Sequence, residues 1–172
     1  MIFSDKCKGF TLIELLAVVV IMGVLAAVAI PKVFGQIAKA KASELYSAAG
    51  TYIHLQDSYN IQYHDSIGTW ISIGYKPPVS NSFKYFENNT EGGITSATAF
   101  FIDAGETAAW KAQNISDLND CDARSSWQLD VSKSTNSAYN IVYKVVINDP
   151  RCEALTKKFE ALDTYNKISA TP

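Results

Sequence analysis

Histidine and cysteine, on which most metal centres and much nucleophilic catalysis depend, are scarce here: two of one and three of the other in 172 residues. His54 and His64 lie far in sequence from Cys121 and Cys152, and no ligand spacing links them, which argues against a zinc site. No serine stands in a G-x-S-x-G elbow, and no glycine-rich phosphate loop follows a strand. An enzyme is therefore not expected, nor a cofactor. Charge is thin as well. The formal net charge of −2 offers no basic stripe for nucleic acid, so no specific nucleic-acid partner is expected. Internal repeats and low-complexity segments are missing too.

What the chain does have is an apolar run from Phe10 to Ile30 with a single ionised residue, Glu14. As a helix it is about 31 Å long at about 1.5 Å per residue, enough to cross a hydrocarbon core of about 30 Å. Pro31 and Lys32 then open a polar margin. Core helices of this length normally keep a polar face, and a signal peptide has a shorter apolar region closed by a small-x-small cleavage site. A carboxylate in the bilayer costs roughly 2.5 to 3.5 kcal/mol at mid-depth and less near the interface. Its presence marks Glu14 as a functional residue that needs a positive partner.

The surrounding residues, Lys8-Gly9-Phe10-Thr11-Leu12-Ile13-Glu14-Leu15-Leu16, resemble the leader junction of type IV prepilins and pseudopilins, with a short leader like that of the type IVa subclass. The resemblance is strongest over residues 8 to 34. It implies that a prepilin peptidase cuts after Gly9 on the cytoplasmic side and N-methylates the new amino terminus at Phe10. Such a terminus is mostly protonated near neutral pH. That amine is the cation Glu14 needs, and pairing with the amine of a neighbouring subunit gains most when both groups are desolvated. The resemblance also implies that the stretch between Gly23 and Pro31 can lose helicity in an assembled filament.

Past Pro31 the positions Phe34, Ala38, Leu45, Ala48, Tyr52, Leu55 and Tyr59 keep one face apolar, interrupted by Lys41, while Lys39, Ser43, Glu44 and Asp57 lie opposite. One helix from about Phe10 to Gln62 is expected, kinked at Pro31, which cannot donate to the carbonyl of Ala27. From Trp70 the texture becomes β-branched and aromatic, with turn residues between runs. Strands are expected at Trp70 to Tyr75, Phe83 to Phe86, Ala97 to Asp103, Ser126 to Ser132 and Ala138 to Asn148. Asp149-Pro150 then opens a helix to about Tyr165, with Cys152, Leu155, Phe159 and Leu162 on one side. Residues 166 to 172 read as a frayed tail.

Removing residues 1 to 9 takes Cys7 with it and leaves the pair Cys121 and Cys152. In an oxidising compartment a bridge closing this loop of about 30 residues stabilises by about 3 to 4 kcal/mol. A C-terminal disulfide loop of this kind is common in type IV pilins. Without the leader, 13 basic side chains face 16 acidic ones. Asp117, Asn119, Asp120 and Asp122 make a weak calcium candidate, since the EF-hand glycine and final glutamate are missing; a solvated acidic loop is the alternative. Three tryptophans and nine tyrosines could form a binding face, although aromatics of β-rich heads usually make core. The sequons at Asn88 and Asn114 suggest surface loops.

The expected fold class is α+β: a long N-terminal helix with a hydrophobic transmembrane half and an amphipathic half, packed on an antiparallel β-sheet head, plus a short C-terminal helix. Residues 1–9 would be the cleaved leader, 10–31 the transmembrane and assembly helix, 32–62 its amphipathic continuation and 63–172 the head. The resemblance implies a structural subunit, major in abundance, of a homo-oligomeric helical filament. Its partners would be the peptidase, the pilus assembly machinery and, before assembly, the inner membrane with the head in the periplasm. The alternatives are a pseudopilin of a type II secretion system and a minor or tip pilin acting as an adhesin.

Overall fold

The computed structural model describes residues 9–63, 66–94, 100–101, 107–134 and 141–164. Its first element, α1 (Leu12–Gln62), is a continuous helix that carries Pro31 inside it. After it come β1 (Ser66–Ile67), β2 (Phe83–Glu87), β3 (Thr90–Glu91), β4 (Phe100–Phe101), β5 (Thr107–Asn114), β6 (Ser126–Lys133) and β7 (Ile141–Ile147). A 3₁₀ helix over Pro150–Leu155 and the four-residue α2 (Lys157–Glu160) follow. The strands form an antiparallel five-stranded sheet in the order β3-β2-β5-β6-β7 and a separate β1-β4 pair. This is the α+β class expected from the sequence: a long N-terminal helix, an antiparallel sheet and a short C-terminal helix. The chain divides into two compact units, Met1–Ile37 and Ala38–Pro172.

Within the second unit α1 buries Ala38, Ala42, Leu45, Ala48, Ala49, Tyr52, Gln56 and Asn60. The stripe differs from the expected one at its end: Leu55 and Tyr59 are only partly buried, and two amides take the inner positions. The reason is backbone accounting. With its amide turned to match, Gln56 donates to the Gly68 carbonyl at 3.1 Å and accepts from the Gly68 amide at 3.0 Å. Asn60 Nδ2 donates to the Ser66 carbonyl at 3.4 Å. These bonds satisfy buried backbone groups within and just after β1. Phe34, expected on the buried face, is exposed.

Trp70 to Tyr75 is not a strand but a helical turn. Tyr75 N donates to the Trp70 carbonyl (2.8 Å) and Gly74 N to that of Ile71 (3.2 Å), with Gly74 at φ +70, the pattern of a Schellman cap. Trp70, Ile73 and Tyr75 are thereby turned into the core.

The sequence predicts no strand at β5, because Ala108, Ala109 and Ala112 give it low strand propensity. Its alternation is nonetheless present: Trp110, Ala112 and Asn114 are buried while Lys111 and Gln113 are half-exposed. Ala112 lies between Tyr85 on β2 and Trp127 on β6 in register. A small residue there leaves room for two large rings.

The C-terminal helix expected from Pro150 to Tyr165 breaks at Thr156, whose hydroxyl accepts from Trp127 Nε1 (2.9 Å) and donates to the Cys152 carbonyl (3.2 Å). Its expected start does occur: Asp149 caps the 3₁₀ helix by accepting from Arg151 N. β7 covers the interior of the strand expected at Ala138 to Asn148; residues 138–140, and the flanks of Phe100–Phe101 within Ala97 to Asp103, lie outside the described residues.

Candidate assembly site

The site expected at the front of α1 is built by a reciprocal cap. Thr11 N and Thr11 Oγ1 donate to Glu14 Oε2 at 2.8 and 2.7 Å, and Glu14 N donates back to Thr11 Oγ1 at 3.3 Å. Such a box satisfies donors that the first helical turn cannot bond internally, and it places the carboxylate at the positive end of the helix dipole. Sequence reasoning singled out Glu14 but passed over Thr11; the Thr-x-x-Glu spacing was the available signal. Gly9 and Phe10 precede the helix and are exposed.

Among the described residues, every side chain from Leu12 to Phe34 is exposed. Phe10 is 84% exposed, Ile13 73% and Leu25 65%. A contiguous apolar surface of this extent needs lipid or other helices to cover it. The helix is long and apolar enough to cross a membrane. Gly23 has nothing within 4 Å of the place its Cβ would occupy.

At the far end of the chain Cys121 and Cys152 are joined by a disulfide, Cα to Cα 4.9 Å. Arg151, beside Cys152, bonds Asp122, beside Cys121, and also Asp149 at 2.8 Å. The guanidinium hydrogen bonds hold the Asp149 carboxyl below its ordinary value. The remaining oxygens of the calcium candidate close their own loop: Asp117 Oδ1 accepts from Ala123 N (2.7 Å) and Asp120 Oδ2 from Asn119 Nδ2 (2.8 Å). Among the described residues no three His, Cys, Asp or Glu side chains gather to hold a metal ion.

The tryptophans offer no binding face. Trp70, Trp110 and Trp127 are 2%, 0% and 0% exposed, so they belong to the core. Asn114 is likewise buried, and its sequon does not mark a surface loop; Asn88 is exposed in the β2–β3 turn. A groove of about 340 Å³ lined by Lys39, Ser43, Tyr46, Leu155, Lys157 and Lys158 contains no carboxylate or imidazole that could pair with a base or nucleophile.

Residues 4–30 match the family described as the prokaryotic N-terminal methylation motif. The chain is 36% identical over 90 residues to the type IV major pilin protein PilA of Myxococcus xanthus, covering 48% of this chain and 38% of that one. It is 39% identical over 97 residues to the type IV major pilin protein PilE1 of Neisseria gonorrhoeae, covering 53% and 52%. Over 43 residues it is 54% identical to the type IV major fimbrial protein FimA of Dichelobacter nodosus, covering 25% and 28%. The matches span about half or less of these relatives' lengths. No solved structure matches the chain. With the methylation motif of prokaryotic pilins at the front, an exposed apolar helix behind it and a disulfide-closed α+β head, the chain is similar to type IV major pilins over about half of its length or less.

Proposed function

We propose that this protein is the major structural subunit of a type IV pilus, a homo-oligomeric filament held together by its N-terminal helices. The observation that carries the reading is the apolar front of α1, from Leu12 to Phe34, which is exposed among the described residues and which begins inside a methylation motif. In this reading a prepilin peptidase cuts after Gly9 and methylates Phe10, the helix waits in the inner membrane with the head in the periplasm, and the assembly machinery moves it into the fibre. Glu14 then exchanges its Thr11 cap for the Phe10 amine of a neighbour and so sets subunit register. Desolvation in the bundle strengthens that contact relative to water. Gly23 and Pro31 supply the weak stretch of helix through which the filament extends.

Electron microscopy of fibres sheared from the native cell, with mass spectrometry of their subunit, tests this directly. The expected result is a dominant subunit beginning at N-methyl-Phe10. Fibres in which this chain is scarce would point to a pseudopilin or a tip protein, and a subunit beginning at Met1 would overturn the processing step. Glu14→Gln is expected to insert normally in the membrane and to assemble poorly; wild-type fibre yield from that variant refutes the pairing.

A further inference from the structure

Among the described strands β7 stands at the edge of the sheet, and its sequence, Ile-Val-Tyr-Lys-Val-Val-Ile, is the kind that recruits another strand. Its ladder to β6 continues with Asn148 N donating to the Ser126 carbonyl, so even-numbered residues of β7 bond inward. Tyr143 and Val145 therefore turn their backbone polar groups to the open side. The open side is not left bare. Tyr143 N donates to Thr164 Oγ1 (2.8 Å), Thr164 N donates to the Tyr143 carbonyl (2.8 Å), and Val145 N donates to Asp163 Oδ2 (3.1 Å). Two side chains and one amide from beyond α2 thus occupy the outward donors of Tyr143 and Val145 and the Tyr143 carbonyl, three groups that an added strand would use.

We propose that Asp163 and Thr164 form a strap that blocks the β7 edge, and that the partner it excludes is β7 of a second copy of this chain. The strand is close to self-complementary. Antiparallel pairing centred on Lys144 sets Ile141 against Ile147 and Tyr143 against Val145, and joins the outward groups of both strands. That register also sets Lys144 against Lys144, where like charges directly opposite are destabilising. Lysine guards only the centred register, whereas the strap closes every register that uses Tyr143 and Val145. A subunit meant to pack through its helices at high local concentration needs such protection, because heads joined edge to edge would hold those helices out of order.

The test uses the full chain in detergent micelles, comparing wild type with Asp163→Ala/Thr164→Val by amide hydrogen exchange and by a short amine-reactive cross-linker. In the double variant the Tyr143 and Val145 amides are expected to exchange about tenfold faster or more, and Lys144–Lys144 cross-links between copies to appear that wild type lacks. Adding Val145→Pro removes the outward donor at an edge position where proline fits, and is expected to abolish the cross-link. Unchanged protection at Tyr143 and Val145, or cross-links absent in the double variant, overturns the strap. Should the double variant lose protection throughout the sheet, Thr164→Ser against Thr164→Val decides the matter. Serine keeps the hydroxyl and should retain slow Tyr143 exchange, and equal rates in the two refute the proposal.

Discussion

Tyr75, Tyr85 and Tyr143 are buried side chains whose hydroxyls serve as structural bonds: Tyr75 accepts from Trp110 Nε1 (2.9 Å), while Tyr85 and Tyr143 donate to the carboxylates of Glu44 (2.6 Å) and Asp57 (2.7 Å). Burial pushes the Tyr75 phenol from 10.0 up to about 12, and burial together with the neighbouring carboxylates raises Tyr85 and Tyr143 further. A folded value above the unfolded one means that the stability is complete below pH 10 and is lost as pH rises through the folded value. Absorbance at 295 nm is therefore expected to show these three phenols protonated at pH 10.5 and ionising only as the head unfolds near pH 12. Glu87 is a carboxylate case of the same sign. It is 4% exposed and accepts from Trp70 N and Ile94 N at 2.6 Å each, and burial outweighs those bonds to raise it above 4.5. Its contribution is complete below pH 4.5 and declines above, so Glu87→Gln is expected to flatten the fall in melting temperature between pH 4.5 and neutrality. Gly93 closes the same corner at φ +98, with the site of a Cβ 2.9 Å from Trp70 Cε3. Gly93→Ala is expected to lose about 1 to 3 kcal/mol by denaturant titration.

At the level of elements, the break between the 3₁₀ helix and α2 is held by one hydroxyl. Thr156→Val keeps the shape of the side chain but leaves Trp127 Nε1, in a fully buried ring, without its acceptor. An expected loss of about 1 to 3 kcal/mol in urea unfolding follows from the unpaired donor. In α1 the weak points are Gly23 and Pro31, which disfavour helix by about 1 and 3 kcal/mol relative to alanine. A methyl at residue 23 meets nothing within 4 Å, so the pair Gly23→Ala/Pro31→Ala should fold without clash. Under the proposed pilus function, filaments of that variant are expected to extend less under optical-tweezer load than wild type. The strands teach a different lesson: β2, β6 and β7 announced themselves by β-branched and aromatic residues, whereas β5 depends on Ala112 fitting between Tyr85 and Trp127, a requirement set by its neighbours.

For the whole molecule, the Cys121–Cys152 bridge ties the loop after β5 to the 3₁₀ helix across 31 positions of sequence. Reduction restores chain entropy to the unfolded state, with an expected loss of about 3 to 4 kcal/mol and a fall of about 10 °C in melting temperature on adding reductant. The head has its own aromatic core, with Trp70, Tyr75 and Tyr52 in edge contact and Trp110 against Tyr85 and Phe159. Among the described residues the first unit has none: its apolar side chains from Leu12 to Phe34 are exposed, and burying them takes lipid or other helices.

The sequence by itself determined the extent of α1, the apolar span, the oddity of Glu14 and the strands whose patterns were strong. These follow from local chemistry: helix period, alternation and the cost of a carboxylate in lipid are all read within a few residues. Only the tertiary structure decided that Trp70 to Tyr75 is a capped turn, that Gln56 and Asn60 rather than Leu55 and Tyr59 face inward, that an alanine-rich segment is the middle strand of the sheet, and that Asp163 and Thr164 cover its last edge. Each of those outcomes depends on a partner distant in the chain, either a backbone group needing a bond or a ring needing space, and a one-dimensional pattern carries no record of which partner arrives.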